Sequence, residues 1–441
     1  MVQRLKQNMA PTALVLAIMG IFCALPFLSF VASQQVPIAL ILLTILLSLA
    51  FLVQRRVGPS LAVGLEPDRR MLVWLMIVAG CLAYIAASCA WSIDLDGSLQ
   101  RLKRLSLLLA IGFLSVYAAQ RIAPAPRGLV LSVVFSVLGL AVLILAEQLF
   151  GLFSNTVWAS TSDDFKERIL NRPSTYFVML AWPAAYAAKK AGQHLISRMM
   201  VVSIPLVLFA SSSASGALAA LAGVSAFLVA SLNKKAAICL FGTLVFFSVL
   251  AMPFAVRNDT VMKTGLSIVQ QANAFSAAHR LGIWNFVASR SEERPFFGWG
   301  VAAARTLPGA NTPLGQVESF SPYLDELESV FPTLRDSPAL PLHPHNAALH
   351  LHLELGLVGA VLFCFVITYA IVCLAKIKPE AAPYTVAWAA SWFVIAFLSI
   401  GFWQTWWWAL SAICLIQFTY FFRSGVAGDR PQSAHRTTEA P

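Results

Sequence analysis

The stretch that decides the fold reads LHPHNAALHLHLELGLVGAVLFCFVITYAIVCL, from residue 342 to residue 374. Its first part is polar and places a proline between two histidines, His343 and His345. From Leu349 onward it is almost entirely apolar, over a length that crosses a bilayer as one helix. The stretch therefore predicts the end of a polar segment, the start of a helix at Asn346 and a membrane span directly after it.

The composition places this pattern in a membrane protein. The chain has 441 residues, of which 59% are hydrophobic and 12% are charged, and soluble globular proteins do not show that balance. We expect an all-α integral membrane protein with about twelve transmembrane helices. The predicted spans are residues 13–31, 36–53, 71–90, 105–120, 128–147, 174–188, 199–213, 216–232, 236–255, 355–375, 384–401 and 407–422.

These spans divide the chain into four parts. Residues 1–255 hold nine predicted spans joined by short loops. Residues 256–345 form one large loop, and residues 346–423 hold three further spans. Residues 424–441 form a tail that we expect to be disordered and cytoplasmic. A polar loop of this length indicates a function, because membrane proteins otherwise keep their connections short.

The net charge of +11 is explained by membrane topology rather than by a nucleic-acid partner. The surplus of lysine and arginine falls in the short turns on one side of the predicted spans, as the positive-inside rule requires. Both termini are then cytoplasmic, and the large loop faces outward.

Two residues at opposite ends of the loop have the chemistry of a catalytic site. His345 stands where a proline-rich segment meets a helix start, and its imidazole can accept a proton near neutral pH. The alternative is a surface or helix-capping histidine. Arg280 begins an amphipathic helix predicted at residues 279–289, and its guanidinium can bind phosphate oxygens in a bidentate manner. Its alternatives are an ion pair with Glu292 or Glu293, or contact with a lipid headgroup.

Other basic residues lie on the outer side, against the general trend. Arg172 sits at the outer mouth of the sixth span, where it either binds an anion or snorkels to the interface. Arg101, Lys103 and Arg104 follow two aspartates along the chain, so they form either an anion site or a salt-bridged surface helix.

The histidines near the loop end also suggest a metal site. His350 and Glu354 stand four residues apart on one helix face, close to His345 and His352. No thiolate or second carboxylate completes a ligand set. The seven cysteines fall in apolar runs without a Cys-x-x-Cys pair and are interpreted as small buried hydrophobes. We therefore expect no metal and no cofactor.

The interiors of the predicted spans are nearly uncharged. A carrier needs ionisable or helix-breaking residues near the membrane midplane, so the pattern favours a site at the outer ends of the spans. The tryptophan-rich segment 402–408 is interpreted as an interfacial anchor, with contact to a lipid or a sugar as the alternative.

Several of these segments together resemble the O-antigen ligase superfamily, which also contains O-antigen polymerases and protein O-oligosaccharyltransferases. The resemblance covers roughly residues 210–360, whereas the N-terminal third is similar in topology only. It rests on Ser211–Leu221, Arg280–Trp284 (RLGIW), Glu293–Gly300 (ERPFFGWG), His345-Asn346 and Leu353–Gly359 (LELGLVG).

One position departs from the family pattern. The serine-rich element of the family often carries an arginine directly before its glycine, and here that position is Ser215. A second cationic group must then come from elsewhere in the chain, and Arg172 is the candidate.

The resemblance implies a metal-independent, inverting glycosyltransferase in the bacterial inner membrane. It would move a glycan from an undecaprenyl diphosphate carrier to lipid A–core during lipopolysaccharide assembly, with membrane lipids as its surroundings. The outer loop would be a large, partly helical periplasmic loop. The implied catalytic residues are His345, Arg280 and Arg172, and the implied substrate-binding residues are Arg101, Lys103, Arg104, His343 and Asn346.

Three alternatives stay open. An O-antigen polymerase and a protein O-oligosaccharyltransferase would use the same catalytic groups and differ only in the acceptor. A transporter or flippase for a lipid-linked sugar is the alternative from a different class.

Overall fold

The computed structural model describes residues 2–57, 69–123, 125–156 and 169–423. Within these ranges the chain is all-α, as predicted, and its one element of β-structure is an isolated bridge between Pro313 and Pro338. The helices of the described ranges are α1 (Val2–Val31), α2 (Val36–Val57), α3 (Arg69–Ser88), α4 (Leu95–Ala119), α5 (Arg127–Phe150), α6 (Asn171–Lys190), α7 (His194–Ala210), α8 (Ala214–Leu232), α9 (Lys234–Ala255), α10 (Asp259–Gln271), α11 (Phe275–Glu292), α12 (Ala347–Ala375), α13 (Ala382–Leu398) and α14 (Thr405–Arg423).

The chain is a multi-pass membrane protein. Each of the twelve predicted spans falls on one of these helices, and the two remaining helices, α10 and α11, lie in the polar segment. Among the described residues, eight helices are both long and apolar enough to cross a bilayer: α1 to α5, α8, α9 and α12. Helices α7 and α13 are apolar but shorter. The count of twelve therefore stays a prediction, and the tail at 424–441 lies outside the described residues.

The helices group into two compact units, each assembled from separated parts of the chain. Within the described ranges, the first unit takes in residues 2–57, 111–123, 125–156, 169–217 and 409–423, and the second unit takes in residues 69–110 and 218–408. Arg172 and the first part of the serine-rich element, up to residue 217, belong to the first unit, whereas the polar segment with His343 and His345 belongs to the second.

The polar segment 256–345 has a hydrophobic core of its own within the second unit. Asn258 caps α10 by accepting a hydrogen bond from the backbone of Val261 at 3.1 Å. Leu314 and Phe320 are fully buried, and they belong to the same apolar cluster as Leu353 on α12. The first half of α12 thus serves as part of the core of the loop.

Helix α12 is broken at Gly356, where φ is +64° and ψ is −164°. A methyl group at this position would lie 2.3 Å from the carbonyl oxygen of Phe296. The loop segment that contains Gly298 and Gly300 docks into the break, and both glycines have positive φ values, 68° and 90°. Glycine is required at such points because it tolerates positive φ and lets two backbones approach.

The docked loop satisfies the backbone groups that the break exposes. The amide of Trp299 donates to the carbonyl of Leu353 at 2.8 Å, and that of Gly300 donates to Glu354 at 2.9 Å. In the other direction, Leu357 donates to Pro295 at 2.8 Å. A broken helix at membrane depth needs such partners, since lipid offers no hydrogen bonds. The ERPFFGWG and LELGLVG segments are therefore two halves of one backbone joint.

Candidate active site

His345 sits at the entrance to α12 in a strained backbone conformation. Its φ is +54°, a value that costs energy in a residue with a side chain and that recurs at functional sites. The next residue, Asn346, caps the helix by accepting a hydrogen bond from the amide of Leu349 at 3.0 Å. From α11, the indole of Trp284 donates to the carbonyl of Pro344 at 2.8 Å. The turn that carries His345 is thus held from both sides.

One hydrogen bond determines the tautomer of His345. Its Nδ1 lies 2.9 Å from the carbonyl oxygen of Ser399, and a carbonyl oxygen can only accept. Nδ1 therefore carries the proton, and Nε2 of the neutral ring carries a lone pair. Within the described part of the chain, no hydrogen-bond partner occupies Nε2, so this nitrogen can take a proton from a bound hydroxyl group.

His343 lies against His345, with 4.1 Å between the ring centroids. Its Nε2 is 3.2 Å from the side-chain amide nitrogen of Gln404, and the oxygen of the same amide accepts from the indole of Trp406 at 2.8 Å. A methyl group at Gly401 would come within 2.8 Å of the His343 ring. The segment between α13 and α14 therefore forms the wall behind both histidines.

Both imidazoles are neutral at physiological pH. Burial lowers the pKa of His343 to about 2, and the positive charges of Arg305 and Arg280 act in the same direction. Burial also lowers the pKa of His345 to about 4, where the Ser399 carbonyl opposes the shift and Arg280 adds to it. A neutral His345 is the form that can act as a general base.

Arg280 lies on α11 and is half-buried. Burial lowers its pKa, but a guanidinium stays protonated in proteins. Among the described residues it has no ion-pair or hydrogen-bond partner, and the predicted pairing with Glu292 or Glu293 is not formed. Glu292 bonds to Arg257 instead, at 3.2 Å. The positive charge of Arg280 is therefore available to an anion beside the histidines.

The other loop arginines separate into two groups. Arg335 is paired with Asp325 at 2.8 Å, and Arg290 is paired with Glu293. Arg305 is exposed and has no acidic partner in the described ranges, and its charge is close enough to lower the pKa of His343. The sequence does not single out Arg305, because nothing in its spacing indicates that it approaches His343.

The three basic residues at the start of α4 differ in their exposure and in their hydrogen-bond partners. Arg101 donates from Nη1 to the carbonyl of Trp403 at 2.8 Å. Lys103 and Arg104 are exposed, and neither has an acidic partner among the described residues. Asp94 accepts a hydrogen bond from the amide of Gly97 at 2.9 Å, so it caps α4 rather than pairing with these cations. The salt-bridged alternative is therefore not formed.

Arg172 lies at the start of α6 in the first unit. Its Nη1 donates to the hydroxyl of Ser33 at 3.0 Å. Two residues later, the hydroxyl of Ser174 is 3.4 Å from that of Ser211, and Gly216 packs close to Ser174. The start of α6 thus lies against the serine-rich element, in which Ser215 stands where the family often has an arginine. A role shared with His345 stays a prediction.

No three His, Cys, Asp or Glu side chains of the described ranges are grouped as metal ligands. His350 and Glu354 bond to each other, with Nε2 of the histidine 3.2 Å from Oε1 of the carboxylate. Both side chains are buried within the protein.

A known family is similar to the segment that carries these groups. Residues 199–364 match the family model described as "O-Antigen ligase". The matched region includes Arg280, His345 and Glu354, whereas Arg101 and Arg172 lie outside it.

Curated relatives are similar to this chain over most of its length. A Rickettsia conorii protein named "Putative polysaccharide ligase" is 27% identical over 74% of this chain and 74% of its own length. A Rickettsia prowazekii protein with a similar name is 26% identical over 76% of this chain and 77% of its own length. No solved structure gives a significant match. Both relatives are named as polysaccharide ligases, and this chain is similar to them over 74% and 76% of its length.

Proposed function

We propose that this protein is an O-antigen ligase that transfers a polysaccharide from undecaprenyl diphosphate to lipid A–core. The reaction takes place at the periplasmic face of the inner membrane, with both termini of the chain in the cytoplasm. It requires no metal ion. The family match and the polysaccharide-ligase relatives support glycan transfer, and the chemistry of the histidine–arginine site supports this donor and this mode of attack.

A single observation carries the proposal. His345 presents a lone pair on Nε2 because Ser399 holds the opposite nitrogen in its protonated form, and it does so within electrostatic range of Arg280. A base for an acceptor hydroxyl and a cation for a leaving diphosphate are the two groups that this transfer needs.

The chemistry is a single displacement. Nε2 of His345 takes the proton of the acceptor hydroxyl while the oxygen attacks the anomeric carbon of the donor. The bond between that carbon and the diphosphate oxygen breaks with its electron pair, and negative charge builds up on the carrier diphosphate. Arg280 stabilises that charge. One displacement at the anomeric carbon inverts its configuration.

Arg305 is an additional cation on the histidine side, and Arg172 stays the second catalytic cation that the sequence predicts. A diphosphate carries more charge than one guanidinium offsets, and bidentate pairs are the strongest form of binding. The substrate-binding residues proposed around this centre are Arg101, Lys103, Arg104, His343 and Asn346.

The test is the His345→Ala variant in a strain that lacks its own ligase. Loss of a general base should reduce transfer about a hundred- to ten-thousandfold, with an unchanged amount of protein in the membrane. His194→Ala is the matched control, because His194 is an exposed histidine on α7 in the other unit. Attachment of glycan to lipid A–core is read from lipopolysaccharide on gels. Full-length polysaccharide on the lipopolysaccharide of the His345→Ala strain would refute the proposal.

The same strains separate the related functions. A null strain of a ligase accumulates finished polymer on its lipid carrier, whereas a null strain of a polymerase loses the polymer itself. A flippase would lose both and would show no transfer in detergent. Transfer by purified protein in the presence of a chelator tests the absence of a metal requirement.

A further inference from the structure

A buried carboxylate that the proposed reaction does not use lies in the second unit. Glu354 is 1% exposed and accepts four hydrogen bonds. Its Oε2 receives the indole of Trp403 at 2.6 Å and the amide of Ala302 at 2.8 Å. Its Oε1 receives the amide of Ala304 at 3.0 Å and Nε2 of His350 at 3.2 Å.

The tautomer of His350 follows from its neighbours. The amide of Phe402, which can only donate, lies 3.3 Å from Nδ1 of His350. Nδ1 therefore carries the lone pair, and Nε2 carries the proton that it gives to Glu354. A carboxylate that accepts from four donors is well compensated for the loss of water, as a buried charge requires.

These bonds converge on the loop at residues 399–404, between α13 and α14. Glu354 holds it through Trp403, His350 holds it through Phe402, and Arg101 holds it through the carbonyl of Trp403. The same loop supplies the Ser399 carbonyl that keeps the proton of His345 on Nδ1. The loop thus connects the buried carboxylate to the proposed base without direct contact between the two.

We propose that Glu354 and His350 are positioning residues that fix the 399–404 loop and, through Ser399, the orientation and tautomer of His345. The inference rests on the proposed role of His345 as the base. Besides the amides of Ala302 and Ala304 in the polar segment, Glu354 accepts from Trp403 of this loop and from His350, which itself accepts from the amide of Phe402 in the loop.

The test measures the activity of two substitutions in purified protein and compares them with two further variants. Glu354→Gln replaces one carboxylate oxygen with an NH2 group, which cannot accept the hydrogen bonds that this oxygen receives. His350→Gln removes the imidazole that accepts from the amide of Phe402. Each should lower kcat about 10- to 100-fold, the factor expected for losing one hydrogen bond to a charged group. The KM for the lipid-linked donor should stay within about threefold, because the arginines that bind the diphosphate are untouched.

His352→Gln is the matched control. His352 lies on the same helix and is also buried, but its Nε2 bonds to the carbonyl of Val249 on α9, at 3.0 Å, and not to the loop. This change should lower the unfolding temperature and leave kcat of the folded fraction unchanged. Trp403→Phe, which removes one donor and keeps the packing, should reproduce a smaller loss of kcat.

The outcomes separate the two proposals. If His345→Ala is inactive while Glu354→Gln and His350→Gln keep the parent kcat, the positioning role is refuted and the base stands. If His345→Ala keeps the parent rate, the proposed function itself fails. An equal loss of kcat in His350→Gln and His352→Gln, in step with their loss of stability, would show that the carboxylate supports the fold alone.

Discussion

At the residue scale, the site depends on which nitrogen of His345 carries a proton. The sequence places this residue at a proline-rich helix entrance, as a histidine that can act as a base. Its tautomer could not be predicted, because the partner is the backbone carbonyl of Ser399, 54 residues away in the chain. Backbone groups leave no signature in a sequence.

The lowered pKa of His345 gives a prediction for the pH dependence of transfer. The base works in its neutral form, so kcat/KM should fall as the pH drops through the pKa of about 4. An unperturbed histidine would lose activity near pH 6.5. We therefore expect a constant kcat/KM from pH 8 down to about pH 5. The measurement is the transfer rate in proteoliposomes, with intrinsic tryptophan fluorescence as the check that the fold is intact. A half-maximal rate near pH 6.5 would show that the imidazole is not buried during the reaction.

For Arg280 too, the sequence gives the residue type, and the tertiary structure determines its surroundings. Its chemistry and its place in the RLGIW segment predicted an anion-binding role. The absence of an acidic partner among the described residues is a property of packing, because Glu292 turns to Arg257 and Glu293 to Arg290. From the sequence alone, either glutamate could form an ion pair with Arg280.

At the scale of elements, the helices follow from apolar length, and the joints between them do not. All twelve predicted spans fall on helices because runs of about twenty apolar residues have no other way to satisfy their backbone in lipid. Two segments differ from what their composition indicates. The segment 307–322 is rich in Pro, Gly and Asn, which is typical of flexible loops, yet it buries Leu314 and Phe320.

The second difference concerns the tryptophans at 402–408. They were interpreted as anchors at the membrane interface, yet Trp403, Trp406 and Trp407 are at most 7% exposed. The indole of Trp403 donates to Glu354, and that of Trp406 donates to Gln404, whose side-chain amide lies 3.2 Å from His343. Tryptophans at the end of a span look the same in a sequence whether they anchor the protein at the membrane interface or pack in its interior. Only the packing against α12 distinguishes the two cases.

The backbone joint at Gly356 makes a prediction about stability. Gly356→Ala and Gly298→Ala each force a side chain into positive φ, which costs about 1–2 kcal/mol. The added methyl would also lie 2.3 Å from the carbonyl oxygen of Phe296 in the first variant and 2.5 Å from the backbone of Glu354 in the second. We expect an unfolding temperature lower by several degrees, measured by thermal unfolding in detergent.

Gly80→Ala is the control for this pair. Gly80 lies on α3, and a methyl group there meets nothing within 4 Å. Because alanine is the better helix former by about 1 kcal/mol, this variant should be as stable as the parent or more stable. An unchanged unfolding temperature in Gly356→Ala would contradict the close docking of the two backbones.

At the scale of the whole molecule, the charge distribution predicts which side of the membrane carries the site. The basic turns place the termini in the cytoplasm and the 256–345 segment outside. The structure adds that this segment shares its core with α12, so loop and membrane helix form one body in the second unit. The orientation across the membrane stays a prediction.

Thiol labelling tests that orientation. Glu318 in the polar segment and His194 at the start of α7 are both exposed. In intact spheroplasts, a membrane-impermeant maleimide should label the Glu318→Cys variant above the parent chain and leave His194→Cys unlabelled until the membrane is opened. The reverse pattern would place the site in the cytoplasm and exclude a periplasmic donor.

The sequence by itself determined the class of the molecule and the positions of its helices, and it singled out His345 and Arg280 as the proposed catalytic pair. These properties depend on residue type and local spacing, which hydropathy and side-chain chemistry report directly. Only the tertiary structure decided how Ser399, Trp403 and Glu354 approach the histidine turn. Their contacts join residues far apart in the chain, and the chain brings such residues together only when α12 breaks at Gly356 and the loop docks against it.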